Sequence, residues 1–129
     1  MSRKWSMTDQ LLYACSGDYL CLADFLSLLK REGIENKTEQ RWQTLRLIRQ
    51  MLDDKLVEAG EVHKGDKFWE FRPWELSPGE TIAEIQARWN LLGREPGPWE
   101  LVWFDLTVKG QREAEQLRRL GRQQVDDSR

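Results

Sequence analysis

The sequence predicts a mainly helical α+β protein, with a small antiparallel sheet among five helices. Three observations predict this class. Apolar residues recur with helical spacing in the first half of the chain, two strand-like segments flank a polar glycine turn after residue 60, and an alternating apolar segment lies near residue 100. With 129 residues, 40% hydrophobic and 33% charged, the chain has the size of one domain. We assign residues 1–120 to that domain and residues 121–129 to a flexible polar tail.

Three helices are predicted before the sheet. Ser6 with Asp9 has the spacing of a capping box and opens a short helix that ends near residues 16–17. Asp18 is a candidate N-cap for a second helix, which Gly33 ends. Asn36 opens the third and longest helix, in which apolar and polar residues separate onto two sides. The predicted inward stripe consists of Trp42, Leu45, Ile48, Leu52 and Leu56.

A hairpin and a longer strand are predicted in the second half of the chain. Residues 61–63 and 68–71 flank the polar turn 64–67, and Pro73 is expected to stop the pairing because it lacks an N–H group. Residues 99–107 are the clearest strand, with apolar side chains alternating onto both faces.

Two more helices are expected around that strand. Ser77, Pro78 and Glu80 supply a serine N-cap, a proline at the first helical position and a capping-box glutamate, so a helix begins there and runs to Leu92. The last helix is predicted from Val108 to Leu120.

Charge is unevenly distributed along the chain, although the net charge is only −2. Residues 34–50 carry four basic and two acidic side chains, a local +2, whereas residues 70–105 carry three basic and seven acidic side chains, a local −4. A protein that depends mainly on phosphate contacts needs a stronger cluster of Lys and Arg. The balance therefore speaks against a purely electrostatic nucleic-acid binder.

Two segments of the sequence resemble a known family. Residues 45–62 (LRLIRQMLDDKLVEAGEV) take a leucine-rich helix into a first strand, and residues 105–110 (DLTVKG) end a strand in Leu-Thr before a helix with an early glycine. Together they resemble winged helix-turn-helix transcription regulators, which have a three-helix core and a β-wing. The resemblance covers most of residues 8–120. It implies that the third helix enters the DNA major groove and that the wing touches the DNA backbone. By position, the residues in contact with DNA would be Lys37, Gln40, Arg41, Thr44, Arg46 and Arg49 on the helix, with His63, Lys64 and Lys67 on the wing.

An insertion of about residues 72–98 departs from the family pattern. This segment is acidic and contains the helix predicted from residue 77, so beside a wing it would repel phosphate. The DNA role cannot simply be carried over, because fold does not fix function. The resemblance also implies a homodimer formed through the last helix, which carries Arg118, Arg119 and Arg122.

The sequence offers little for catalysis, metal binding or a membrane. His63 stands without a nucleophile motif, and the loop 93–97 lacks the lysine of a phosphate-binding loop. Cys15 and Cys21 lie among apolar residues, so we expect two buried small side chains rather than a disulfide or a metal site. We therefore expect no cofactor, no metal and no enzymatic activity. The chain lacks an apolar run of spanning length and a secretory signal, which predicts a cytoplasmic protein.

Seven tryptophans are the compositional outlier, and several cluster around the hairpin and the insertion. Tryptophan is enriched at protein-binding hot spots, although the same side chains could instead form a second small core. We predict a non-catalytic protein-binding module, such as an immunity protein or antitoxin that inhibits a toxin with a basic surface. The candidate contact residues are Trp69, Trp74, Glu75, Glu80, Glu84, Glu95 and Trp99. A DNA-binding regulator that uses helix 37–51 is the alternative hypothesis, and a structural subunit without its own activity is a third.

Overall fold

The computed structural model describes residues 5–15 and 18–127, with side chains described as far as Gly121. The α+β class is confirmed: the described residues form five helices and one antiparallel sheet. The predicted end of the first helix at residues 16–17 lies outside the described residues, as do residues 128–129. The elements are α1 (Met7–Cys15), β1 (Leu20–Cys21), α2 (Leu22–Arg31), α3 (Lys37–Asp53), β2 (Val57–Lys64), β3 (Trp69–Pro73), α4 (Pro78–Leu92), β4 (Trp103–Leu106) and α5 (Val108–Asp127).

The sheet has the strand order β1-β4-β2-β3, and every neighbouring pair is antiparallel. β2 is the strand that links its two halves, because β4 pairs with residues 57–60 and β3 pairs with residues 60–64 on the other edge. Gly60 therefore lies opposite both Trp103 and Pro73. The predicted hairpin is confirmed as β2 and β3, and the turn is closed by a bond from the Gly65 N–H to the Phe68 carbonyl (2.8 Å).

Pro73 is the last residue of β3, as predicted, and the next residue, Trp74, donates a hydrogen bond to the Ala59 carbonyl (3.0 Å). Two other predictions about the strands are wrong. The predicted strand 99–107 is reduced to β4, since Trp99 and Leu101 have positive φ angles of 64° and 72° and form a turn. Asp18 does not cap α2: a short strand, β1, comes first, and the N-cap residue is Cys21.

The main core lies between the helices and one face of the sheet, which we call the inner face. Phe104 and Ala59 are opposite one another on that face and both are buried. Phe104 meets Phe25 of α2 edge to face, with ring centroids 5.6 Å apart. Cys15 and Cys21 are both buried, as predicted.

The predicted insertion is an integral part of this core. Ile85 and Trp89 of α4 are buried in the same cluster as the residues of α2 and α3. β3 and β4 pair with opposite edges of β2, so the chain leaves the sheet on one side, packs α4 against α3 and returns on the other. The segment is thus not a decoration on a two-stranded ribbon.

Packing of α4 also changes which side of α3 is buried. Trp42 was predicted to face inward but is 60% exposed, whereas Gln40 and Thr44 were predicted to face outward and are 4% and 0% exposed. Leu45 and Ile48 are buried as predicted. The apolar stripe in the sequence does not predict the buried side of α3 correctly, because two polar residues, Gln40 and Thr44, lie on that side. The Gln40 amide is satisfied there by the Ile34 carbonyl (2.7 Å).

The last helix, α5, extends to Asp127, so its predicted end at Leu120 is wrong and the predicted tail continues the helix. Gly110 lies in the first turn of α5. A Cβ atom on this residue would collide with the backbone carbonyl of Leu56, so glycine permits the close approach of α5 to the segment between α3 and β2.

Candidate functional site

The face of the sheet opposite Phe104, which we call the outer face, carries aromatic side chains that solvent reaches. Alternation along the strands places Trp103 of β4 and Phe71 of β3 on this face, with Tyr19 just before β1. All three are half-buried rather than buried. A face made of such large side chains normally belongs to a core, so its exposure distinguishes it from the rest of the surface.

Together with Trp99, these three residues form a continuous chain of ring contacts, which we call the aromatic row. Trp99 stacks on Trp103 with centroids 4.3 Å apart, Trp103 meets Tyr19 at 5.4 Å, and Tyr19 stacks on Phe71 at 5.7 Å. Each such contact contributes about 0.5–1.5 kcal/mol beyond the buried area. The row is therefore a rigid surface whose rings fix one another.

Gly60 makes room for the aromatic row at the centre of the sheet. A Cβ atom there would lie 2.8 Å from the ring of Phe71 and would also collide with the carbonyl of Arg72. Beyond Phe71, the same face of β3 ends in Trp69, which is 67% exposed, and the neighbouring Phe68 at the turn is 76% exposed. Apolar surface thus continues from the row towards the hairpin tip.

A strained turn presents Trp99 to the row. Trp99 and Leu101 both adopt left-handed backbone conformations, which cost about 1–3 kcal/mol each for such residues. Glu100 offsets this by accepting two bonds from Arg94 (2.7 and 2.8 Å) and one from the Gly97 N–H (2.7 Å). The bonds from Arg94 and then Gly97 lower the pKa of Glu100 to about 2.

The outer face is negatively charged beside the row. Glu58 and Asp105 lie directly opposite one another across β2 and β4. Asp105 also lines a recess of about 420 Å³ with Asp18 and Tyr19, and Glu115 and Arg118 of α5 lie at the same recess. Burial raises the pKa of Asp105, and burial followed by the charges of Asp105 and Asp18 raises the pKa of Tyr19.

The acid groups predicted for protein binding are mostly engaged within the chain. Glu80 accepts from the Ser77 N–H (3.1 Å) and completes the capping box of α4. Glu84 pairs with Arg88 (2.8 Å), and Glu95 pairs with Lys30 of α2 (3.0 Å). Glu75 is exposed. Most of the negative charge expected from the insertion is therefore already compensated.

The predicted tryptophans separate into two groups. Trp69 and Trp99 belong to or continue the aromatic row, whereas Trp74 is half-buried on the other side of the sheet, where the guanidinium of Arg88 lies 4.6 Å from its ring centroid. Sequence reasoning did not select Tyr19 and Phe71. Alternation placed Trp103 opposite Phe104, but Tyr19 lies in a segment assigned to a helix start.

The residues predicted to contact DNA do not form one exposed basic surface. Gln40 and Thr44 are buried. Arg41 lies over the ring of Trp89 (5.0 Å) and donates to the Asn90 side chain (2.6 Å) and the Gln86 carbonyl (3.3 Å), which ties it to α4. A groove of about 720 Å³ remains between α3 and α4, with Arg41 as one of its walls.

The exposed side of α3 has only a small excess of positive charge. Lys37, Arg46 and Arg49 share that side with Glu39 and Asp53, which gives three positive and two negative groups. Arg49 is paired with Asp53 (3.1 Å). Lys37 is exposed at the start of the helix.

The wing residues are exposed but point in different directions. His63 lies opposite Glu70 on one face of the hairpin, and Lys64 lies opposite Trp69 on the other. The ring of His63 is 3.3 Å from Glu61. Lys67 is in the turn. The three side chains therefore do not form a single basic tip.

Among residues 5–15 and 18–127, no three His, Cys, Asp or Glu side chains are grouped so that they could hold a metal ion. Within the same part of the chain, no helix combines the length and apolar character needed to cross a bilayer. Comparisons with family models, with curated proteins and with solved structures each found no match.

Proposed function

We propose that this chain is a non-catalytic protein-binding module that docks its partner on the aromatic row and Trp69. One observation carries the proposal: four aromatic rings in mutual contact lie on an open face of the sheet, and solvent reaches all of them. Large, rigid aromatic side chains bury much area at little entropic cost, which is why they dominate binding hot spots.

A cytoplasmic inhibitor, such as an immunity protein or an antitoxin, is the most concrete form of this function. Such a protein blocks a toxin by covering its basic surface, and the negative charge around the row suits that partner. The charge comes from Glu58, Asp105 and Asp18 rather than from the insertion, whose carboxylates are mostly paired.

We also propose that the fold is related to winged-helix domains. Its support is the order of α1, β1, α2, α3, β2 and β4, with β4 between β1 and β2 in the sheet. In this interpretation β3 and α4 are an insertion that has been absorbed into the core.

DNA binding has weaker support as the alternative. It would require the exposed side of α3 to meet phosphates, yet its three basic groups are opposed by two carboxylates, which leaves a net charge of only +1. Gln40 and Thr44 could reach bases only if α4 moved away, because both are buried.

Site-specific photocrosslinking tests the proposal. A benzophenone amino acid at Trp69 should trap a partner in cells, whereas the same group at Leu91, which is 89% exposed on α4, should not. With the purified partner, Trp99→Ala should weaken binding about 30-fold, the equivalent of about 2 kcal/mol. Trp42→Ala on α3 is the matched control and should leave the Kd unchanged.

Other outcomes identify the competing functions. A crosslink from Trp69 to a second copy of the chain would replace the partner by a homodimer. A salt-sensitive DNA complex that is lost in Arg46→Glu with Arg49→Glu, but retained in Trp99→Ala, would overturn the proposal in favour of the DNA-binding regulator.

A further inference from the structure

The chemistry of the partner follows from a pair of like charges on the outer face. Glu58 and Asp105 face one another across two hydrogen-bonded strands, an arrangement that destabilises a sheet unless a cation lies between the groups. None of the ion pairs among the described residues involves Glu58, Asp105 or Asp18. On the strands of this face the basic residue is Lys64, six residues from Glu58 along β2, which corresponds to about 20 Å.

On the inner face of the sheet, a similar set of carboxylates and an aromatic ring is already paired with a cation of the same chain. There Glu61 of β2 and Glu84 of α4 accept bonds from Arg88 (2.7 and 2.8 Å), and the guanidinium lies 4.6 Å from the ring centroid of Trp74. Two carboxylates and an aromatic face are thus satisfied by one arginine of the same chain. A planar guanidinium suits both, because it donates to carboxylates and stacks on rings.

The outer face has the same combination without the arginine. Glu58 and Asp105 supply two carboxylates, and Trp103, two residues before Asp105 on the same face, supplies an aromatic surface with Tyr19. Asp18 adds a third carboxylate at the recess beside Tyr19. Together with Glu115 and Arg118 of α5, which lie at the same recess, and with Lys64 on β2, these carboxylates make four negative and two positive groups, a net charge of −2.

We infer that the partner docks a basic segment on this face, with one arginine or lysine between Glu58 and Asp105 and its stem against Tyr19 and Trp103. The inference rests on the proposed protein-binding function and specifies the partner's chemistry. Contacts to the aromatic row supply area, and the carboxylate pair selects partners with a cation at that position.

A pair of peptides tests the inference without knowledge of the partner. An arginine-containing decapeptide is titrated into the isotopically labelled protein, and the control is the same peptide with citrulline, a neutral isostere, at every arginine. We expect the arginine peptide to shift the amide signals of Glu58 and Asp105 and the indole signal of Trp103. We expect the citrulline peptide to bind at least tenfold more weakly.

Matched variants locate the effect. Glu58→Gln with Asp105→Asn should weaken the arginine peptide at least tenfold, whereas Glu75→Gln, which removes one exposed charge elsewhere, should change its Kd less than twofold. Equal binding of both peptides, shifts confined to another surface, equal loss in Glu75→Gln, or no binding at millimolar peptide would each overturn the inference.

The two proposals fail in different ways when the crosslinked partner is used. If Trp99→Ala abolishes partner binding while Glu58→Gln with Asp105→Asn retains it, the proposed docking surface is supported and the proposed cation between Glu58 and Asp105 is rejected. If neither change affects the partner, both proposals are wrong.

Discussion

The outer face of the sheet and the exposed side of α3 both display tryptophan and charge, yet they differ in what remains unsatisfied. On α3, Trp42 has no ring contact among the described residues, and three basic groups are opposed by two carboxylates, with Arg49 paired to Asp53. On the sheet, four rings form a continuous row, and Glu58 and Asp105 face one another with no ion pair among the described residues. Local charge counted along the sequence placed the negative surface in the insertion instead. The difference shows that the binding character of a surface depends on the charges that the fold leaves without partners and on the aromatic rings that it leaves accessible to solvent.

The insertion causes this difference. Its α4 ties down Arg41, buries one flank of α3 and directs most of its own carboxylates into caps and ion pairs. On the outer face, by contrast, the strands leave aromatic rings accessible to solvent. Of the four carboxylates in residues 72–98, three are therefore engaged in a cap or an ion pair and add little to the negative surface.

The largest expected effect separates a docking surface from a second core. Phe104→Ala on the inner face should lower the free energy of unfolding by about 3–5 kcal/mol, because it leaves a cavity beside Phe25. Phe71→Ala on the outer face should lower it by about 1 kcal/mol, since that ring is already partly in water. Urea unfolding measures both. If Phe71→Ala costs as much as Phe104→Ala, the aromatic row is a core rather than a contact surface.

The Gly60→Ala substitution tests the comparison further, because it disturbs the packing of the aromatic row against β2. The added methyl group would collide with the backbone of β3 and the ring of Phe71, which should cost about 1–3 kcal/mol and speed amide exchange in β3. Gly79→Ala is the control beside α3, because its Cβ would make an ordinary contact of 3.4 Å with the Arg49 side chain. A neutral Gly60→Ala would contradict the close approach of β3 to β2.

A smaller effect of opposite sign is expected on α3. The hydroxyl of Thr44 is buried with no hydrogen-bond partner among the described residues, so Thr44→Val should raise the free energy of unfolding by about 1 kcal/mol. The substitution should leave partner binding unchanged. A loss of stability, or a loss of DNA affinity in this variant, would show that the hydroxyl has a partner and would favour a functional role for this side of α3.

The smallest effect is the acid sensitivity of the turn that holds Trp99. Its cause is the pKa of Glu100, which Arg94 and Gly97 lower to about 2 from an ordinary value of 4.5. A lowered folded-state pKa means that the stabilisation is complete above pH 4.5 and is lost as the pH falls towards 2. Acid titration should move the indole signal of Trp99 in this window while that of Trp42 stays still. Glu100→Gln should abolish the transition, and a transition that persists in this variant would assign it to another group.

Local signals in the sequence predicted the starts of three helices. Asn36 caps α3, Ser77 and Glu80 form a capping box at α4, and Ser6 with Asp9 does the same at α1. These features depend on residues three positions apart and need no tertiary context. The strand order, the two-residue β1 and the buried side of α3 depend on pairing between distant segments, so no local pattern could indicate them.

The candidate site was only half predictable for the same reason. Trp69 and Trp99 were selected because tryptophan is unusual and lies near the hairpin. Tyr19 and Phe71 are 52 residues apart in the sequence and meet only because β1 and β3 lie in one sheet. The acidic groups predicted for the site are mostly compensated by Arg88, Lys30 and the α4 cap, and this compensation appears only after folding.

The position of β4 has a consequence for the order of folding. β4 is the last strand to be synthesised, yet it lies inside the sheet between β1 and β2 and brings Phe104 into the core. A nascent chain that has left the ribosome as far as Leu101 would have all its earlier helices but a gap in the middle of its sheet. Such a chain would expose the surfaces that Phe104 covers until the final strand arrives, and contacts between distant segments form slowly. We therefore expect the core to close only after Leu106 has left the ribosome.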